Sequence, residues 1–228
     1  MNSFASPQTL STLPFPLPVE DLYSRVFDAI LEQRLHAASR FTEESLAQMF
    51  GARRSDIRGV LTQLSHQQIV VLRTSHRPRV AALDSEQTRQ MLHARRLAEI
   101  TLVRLVCQSR LQDLKPLRIL IESERQCTTR GAAIRLSGEF HLRLAQMAGN
   151  APLAHFLGSL VPLTSLAIAQ FEVGLEGYCV WHKHQAILEA VERGEAVKAE
   201  NLLSQHLDHL EAMLLNAGPT LSQSRVVG

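Results

Sequence analysis

The chain has 228 residues, 45% hydrophobic and 20% charged, with a formal net charge of +2, the profile of an ordinary soluble globular protein rather than a disordered or fibrous one. Its three cysteines, Cys107, Cys127 and Cys179, are too few and too widely spaced for a disulfide framework or a paired metal knuckle, and read as buried small hydrophobes in a reducing compartment. The start, MNSFASPQTLSTLPFPLP, lacks the basic and apolar regions of a secretory signal, and the most apolar stretch, Leu153 to Ala169, is broken by His155, Pro162 and Thr164, so a cytoplasmic protein with no membrane partner is expected.

In chain order, residues 1–18, with Pro14, Pro16 and Pro18, read as an extended arm. Leu22, Val26, Ala29 and Ile30 mark a first helix from about Val19 to Gln33. Phe41 to Leu64, FTEESLAQMFGARRSDIRGVLTQL, then reads as two short helices joined at Gly51. Thr42 is placed to cap the first, Glu43 and Glu44 suit its dipole, and Leu46, Met49 and Phe50 are expected to supply its buried face. In the second, Ile57, Val60, Leu61 and Leu64 form one apolar stripe, leaving Arg54, Ser55 and Arg58 outside it.

Gln68 to Arg73 and Arg77 to Ala81 are β-prone runs joined by Thr74, Ser75 and His76, so a hairpin completes a winged helix-turn-helix. Between Arg53 and Arg79 stand six arginines (Arg53, Arg54, Arg58, Arg73, Arg77 and Arg79) against one acid, Asp56. The rest of the chain is therefore net acidic, and the positive charge lies on the two parts that would touch a duplex. This reader is expected to span 19–82.

From Asp84 or Ser85 a long helix is predicted to about Cys107, followed by helices near 111–127, 132–148, 151–171, 176–193 and 195–217, with stops at Gly131, Gly149, Gly174 or Gly177, and Gly194. Six helices with short connections make an antiparallel all-helical bundle over 84–218, with 219–228 as a tail. The fold class is thus mainly α. Pro152 suits a helix start, and Pro162 falls inside a helix.

Three histidines lie on apolar stripes of that bundle: His141 with Ile134, Leu144 and Ala148; His184 with Ile187, Leu188 and Val191; His206 with Leu203, Leu207, Leu210 and Met213. If the last two helices fold back at Gly194, His184 and His206 lie about 15 and 18 Å from the turn, at similar heights. Inward imidazoles are either core residues with satisfied hydrogen bonds or ligands of a divalent transition metal such as zinc. His182 faces away from His184, and His36, His66, His76, His93, His155 and His209 give no reason for inclusion. Arg95 is also inward, in register with Met91, Ala98 and Leu102, and has either Glu99 as an ion-pair partner or an anionic ligand.

The runs LYSRVFDAILEQRL and SRFTEESLAQMFGARRSDIRGVLTQLSHQQIV resemble the DNA-binding domain of the GntR family of bacterial transcription regulators. RRLAE, EFHLRLAQMAGN and HQAILEAVERGEAVKAENLLSQHL resemble, in that order, the FCD-type effector domain of its FadR subfamily. The resemblance implies DNA contacts by Arg53, Arg54, Ser55, Arg58, Arg73, Arg77 and Arg79, and a metal held by His141, His184 and His206. It also implies a small organic acid effector bound beside the metal, with Arg95 and Ser137 at its site. The chain departs from the family at Ser137, where an aspartate ligand is usual, at Arg53, where a capping serine is usual, at Gly59, where a helix former is usual, and at the wing tip, which lacks a glycine.

Function is accordingly expected to be that of a homodimeric, ligand-responsive regulator bound to a double-stranded DNA operator, and not that of an enzyme. A regulator whose body serves only dimerisation is the alternative that Ser137 suggests. A metal-dependent enzyme would need a general base, which Glu139 is placed too far round the helix to provide.

Overall fold

A computed structural model of the protein describes residues 21–73, 76–109, 113–170 and 180–216. The expected arm, the tail, Thr74 and Ser75 of the wing tip, Cys179, and the stops at Gly174 or Gly177 lie outside the described residues.

Helix α1 (Leu22–Leu31) is capped by Asp21, whose side chain accepts from the Ser24 amide, and buries Val26, Ala29 and Ile30. Helix α2 (Glu43–Phe50) opens on Thr42, which accepts from the Ser45 amide while the Ser45 hydroxyl accepts from the Thr42 amide, satisfying two otherwise orphaned donors. It ends at Gly51, whose φ of 61° is the left-handed conformation that a side chain disfavours. Met49 departs from expectation: it is 56% exposed, and Leu46, Ala47 and Phe50 form the buried face instead. In so short a helix the stripe is only one side chain wide, and Met49 falls beyond its edge.

Helix α3 (Arg54–His66) buries Ile57, Val60, Leu61 and Leu64, and its cap residue Arg53 makes no side-chain capping bond. Strands β1 (Val70–Val71) and β2 (Arg79–Val80) pair antiparallel, Val70 opposite Val80 and Val71 opposite Arg79. The two-residue period turns Val70 and Val80 inward and Val71 and Arg79 outward. These elements form the expected winged helix-turn-helix.

The body comprises α4 (Ser85–Gln108), α5 (Lys115–Arg125), α6 (Arg130–Met147), α7 (Ala151–Gln170), α8 (Trp181–Glu192) and α9 (Ala196–Asn216). Helix α4 packs against α6, α7, α8 and α9, with α5 against α6 and α8. By length and composition α7 could cross a membrane, yet Val161 to Ala169 are buried within the bundle and Pro162 does not end the helix. Cys107 and Cys127 are only half-buried, contrary to expectation, since each sits at the end of a helix or just past it.

Gly131 is not a stop; it is the second residue of α6. There the helix meets α1 so closely that a Cβ would lie 2.7 Å from both the Asp28 carbonyl oxygen and Glu32 Cγ. One turn on, Arg135 donates from Nε and Nη2 to the two Asp28 carboxylate oxygens at 2.7 and 2.9 Å, and from Nη1 to Glu139 at 3.0 Å. Behind this contact, α1 is tied to α3 by Tyr23 Oη donating to Gln67 at 2.7 Å, and to α2 by Arg25 donating to the Phe50 carbonyl at 2.9 Å. Gln170, closing α7, accepts from the Leu83 amide and donates to the Ala81 carbonyl, clipping the interdomain connection to the bundle.

Two stability outcomes follow from this packing. Arg135→Met leaves Asp28, 7% exposed, without its bidentate partner, and is expected to destabilise the fold by about 3 kcal/mol in denaturant unfolding. Gly59→Ala should stabilise it by about 0.5–1 kcal/mol, because the site is exposed, helical and has nothing within 4 Å of an added Cβ.

Candidate functional sites: an arginine-bearing reader and a buried histidine centre

On the reader, Arg53, Arg54, Ser55 and Arg58 of the α3 region and Arg73, Arg77 and Arg79 of the wing are all exposed. Arg58 donates from Nε and Nη2 to the two oxygens of Glu43 at 2.9 and 2.8 Å, and Arg54 Nε donates to Glu43 Oε2 at 3.1 Å. The first residue of α2 thus gathers both recognition-helix guanidinium groups. These hydrogen bonds, that from Arg58 foremost, hold the Glu43 carboxyl down at about 2. Sequence reasoning assigned Glu43 only to the helix dipole, since its partners lie 11 and 15 residues away. Arg53 pairs with Asp56 at 2.9 Å on the open surface, a contact of little energetic weight.

In the body, α6, α8 and α9 bring His141, His184 and His206 together, as the stripes predicted. One ring nitrogen from each lies within 4.8 Å of the other two. The His141 and His206 rings stack at 5.2 Å between centroids, and His184 stands edge-on to both, at 5.1 and 5.0 Å. Phe140 covers the outer face of His184 at 4.3 Å. All three histidines are 5% exposed or less. The other seven histidines of the chain are exposed.

Two buried carboxylates join the cluster from helices that contribute no histidine. Glu99 of α4 contacts His141 Nδ1 through Oε2 at 2.6 Å and accepts from Arg95 Nε through Oε1. Glu124 of α5 contacts His184 Nδ1 through Oε2 at 2.8 Å. Arg95 therefore makes the ion pair with Glu99, one of the two partnerships its register allowed, and stands one residue removed from His141. Ser137 is buried one turn before His141 on α6. Glu124 was missed in the sequence; its signal was a place on the α5 stripe of Leu117 and Ile121, where a carboxylate is out of keeping with its neighbours.

Burial dominates the protonation of these groups. It lowers His141 to about 4 and His184 to about 3, and carries His206 well below its usual value, so all three are neutral at pH 7. Burial would raise Glu99, yet the Arg95 charge and His141 bring it down to about 2. Glu124 has no such cation and burial pushes it up to about 8.

His141 Nε2, His184 Nε2 and His206 Nδ1 are buried without a hydrogen-bond partner among the described residues. An unpaired buried polar atom costs on the order of 1–3 kcal/mol, so three converging on one point call for a common partner. Neutral nitrogen donors with Nδ1 directed to carboxylates are what a zinc-like dication takes. The residues fit such an ion: His141, His184 and His206 as ligands, Glu99 and Glu124 behind the first two.

A model of the FCD domain family matches residues 90–209, more than half of the chain. No curated protein matches it in sequence. Among solved structures, a GntR transcriptional regulator from Rhodococcus sp. RHA1 is similar with a TM-score of 0.69 at 17% identity, over 86% of this chain and 96% of that one. McbR/YncC of E. coli gives 0.68 at 15%, over 85% and 95%. Lar, which controls expression of the agr system in Listeria monocytogenes, gives 0.55 at 17%, over 85% and 94%. At such identities the likeness is one of fold, and it extends through both halves of the molecule. The chain belongs to the FCD-domain family, its helical body joined to a winged helix-turn-helix in the fold of the GntR transcription regulators.

Proposed function

We propose that the protein is a homodimeric, ligand-responsive transcription regulator of the bacterial cytoplasm. The observation that carries this reading is the union, in one chain, of an arginine-bearing recognition helix and wing with an FCD body that closes over three imidazoles, each with one buried ring nitrogen that has no hydrogen-bond partner among the described residues. The similar structures described as transcriptional regulators support it. In this reading Arg54 and Arg58 reach base edges of a duplex operator or nearby phosphates, with Ser55 beside them at the interface, while Arg53, Arg73, Arg77 and Arg79 mainly contact backbone. Domain limits of 19–82 for the reader and 84–218 for the sensor, flanked by the arm and the tail, belong to the same proposal.

The body is read as sensing a small organic acid beside a divalent metal such as zinc. His141, His184 and His206 hold the metal, which would polarise an anionic oxygen donor. Arg95 and Ser137 lie at the effector's place. Glu139, the acid nearest His141 in sequence, pairs with Arg135, so it is not arranged as a general base and the reading is not that of an enzyme. Ser137 favours one rival, a body that only dimerises. A panel of carboxylates with zinc separates the two, since a competent pocket raises the melting temperature by mass action and an incompetent one does not.

For the reader, Arg54→Ala and Arg58→Ala should each weaken operator binding by about 1–3 kcal/mol and relax base preference. Arg77→Ala and Arg79→Ala should weaken binding to all duplexes alike and make the salt dependence shallower. Fluorescence anisotropy over a range of salt, with selected and random duplexes, distinguishes them. Unchanged selectivity in Arg54→Ala would displace α3 from its proposed role.

For the centre, zinc titration into metal-free protein should show tighter binding in Ser137→Asp, which adds a carboxylate one turn from His141, and weaker binding in His184→Ala. Equal affinities in wild type and both variants would dismiss the site. In the metal-free protein the unfolded histidines take up protons near 6.5, whereas folded His141 and His184 do so only near 4 and 3. These groups therefore contribute stability above about pH 6.5 that is lost as pH falls toward 4. Glu124, raised to about 8, acts in the opposite sense between about 8 and 4.5, one group against three. Urea unfolding of metal-free protein at pH 7, 6 and 5 should show that net loss.

A further inference from the structure

The two carboxylates behind the histidine centre are not equivalent. Glu99 divides its oxygens between His141 and Arg95, and its charge is matched by a guanidinium that is itself 3% exposed. Glu124 gives Oε2 to His184 Nδ1 and leaves Oε1 buried with no partner among the described residues. The carboxylate side chain is 4% exposed and forms no ion pair with lysine or arginine among those residues. A fully buried acid in this state is unfavourable unless something nearby repays it. What lies beyond it, across one imidazole, is the point on which three unpartnered ring nitrogens converge.

The contact also decides what His184 can do. With the Nδ1 proton directed onto Glu124, Nε2 keeps its lone pair free; with Nε2 protonated, it could not ligate. Phe140 stacks on the ring face at an interplanar angle of 17°, so ring tilt is fixed by packing while tautomer is fixed by the carboxylate. At His141 the corresponding carboxylate is shared with Arg95. At His206, Nδ1 is itself among the unpartnered atoms. Among the described residues, the only carboxylate near the centre with neither an arginine nor a lysine on it is therefore that of Glu124, in a site where Ser137 supplies no charge.

Resting on the reading of the triad as a metal centre, we propose that Glu124 is its principal positioning residue. It holds His184 with Nε2 open to a divalent cation, and places from outside the ligand set the one buried carboxylate among the described residues that no arginine or lysine already matches. Helix α5 thereby becomes part of the centre without contributing a ligand.

The test is zinc affinity, measured by chelator competition on the full chain in wild type, Glu124→Gln and Glu124→Asp, beside the melting temperature of each protein free of metal. Glutamine keeps the shape and can still accept from Nδ1–H, but brings no charge. Its zinc affinity is expected to fall by about 10–100-fold, the usual cost of removing a carboxylate behind a ligating histidine, while its metal-free melting temperature holds or rises. Glu124→Asp keeps the charge one methylene further back and should bind zinc with intermediate affinity. A purely structural Glu124 would give the opposite pattern, with a lowered metal-free melting temperature and unchanged affinity, and that result overturns the inference. Should Glu124→Gln fail to fold, an affinity of Glu124→Asp equal to wild type overturns it, and a weakened one supports it. Failure of wild type itself to bind zinc would instead remove the metal reading, and this inference with it. Tight wild-type binding with an indifferent Glu124→Gln removes the inference alone.

Discussion

The contact between α1 and α6 is the constraint on which the rest of the molecule hangs. Two helices can approach until backbone meets backbone only where one of them presents no side chain, and Gly131 provides that place against Asp28 and Glu32. Once there, Arg135 closes a bidentate pair that neither half could leave open in so dry a position. The same helix carries His141 six residues on, about 9 Å along its axis. Helix α1 in turn holds α2 through the Phe50 carbonyl and α3 through Gln67. One rigid rod is thus shared by the reader and the histidine centre. A displacement of α6 at the centre must either carry α1 with it or break the Asp28–Arg135 pair.

Electrostatics works by opposite rules in the two sites. In the body, desolvation sets the terms: imidazoles stay neutral, Glu99 stays charged because Arg95 and His141 are beside it, and Glu124, without an arginine neighbour, is raised. On the reader the arginines are more than half exposed, and their bonds to Glu43 are worth little net energy in water, on the order of 1 kcal/mol or less. That weakness suits the proposed role. Glu43 keeps two long side chains gathered over α3, and in the proposed role a guanine edge or phosphate would displace it at small cost.

What the sequence made legible was whatever has a period or a local partner. The stripes of α3 and α4, the Thr42 and Asp84 caps, the turn at Gly51 and the inward registers of the three histidines all depend on residues within a few positions of one another. Contacts across helices have no such signature. Glu99 reaches His141 over 42 residues, and Glu124 reaches His184 over 60, so the carboxylates behind the centre could not be read from spacing. Gly131 failed for a related reason: a glycine that permits close packing and one that ends a helix look the same in one dimension, and only the presence of α1 separates them. Met49 shows the limit of periodicity in a helix of two turns.

Ser137 and the two glutamates belong to one account of charge. An aspartate at that position would put three carboxylates around a core holding one buried guanidinium, a burden that only a bound dication could relieve, and the empty body would be correspondingly hard to keep folded. Serine removes one of those charges. On the proposed reading the cation is then held less tightly, but the body no longer needs it to fold: Glu99 is matched by Arg95, and burial moves Glu124 toward its neutral form while it keeps its contact with His184 Nδ1. A centre balanced in this way can fill and empty without unfolding. On that same reading, this property is what separates a sensor from a structural metal site, and serine at position 137 would be its source.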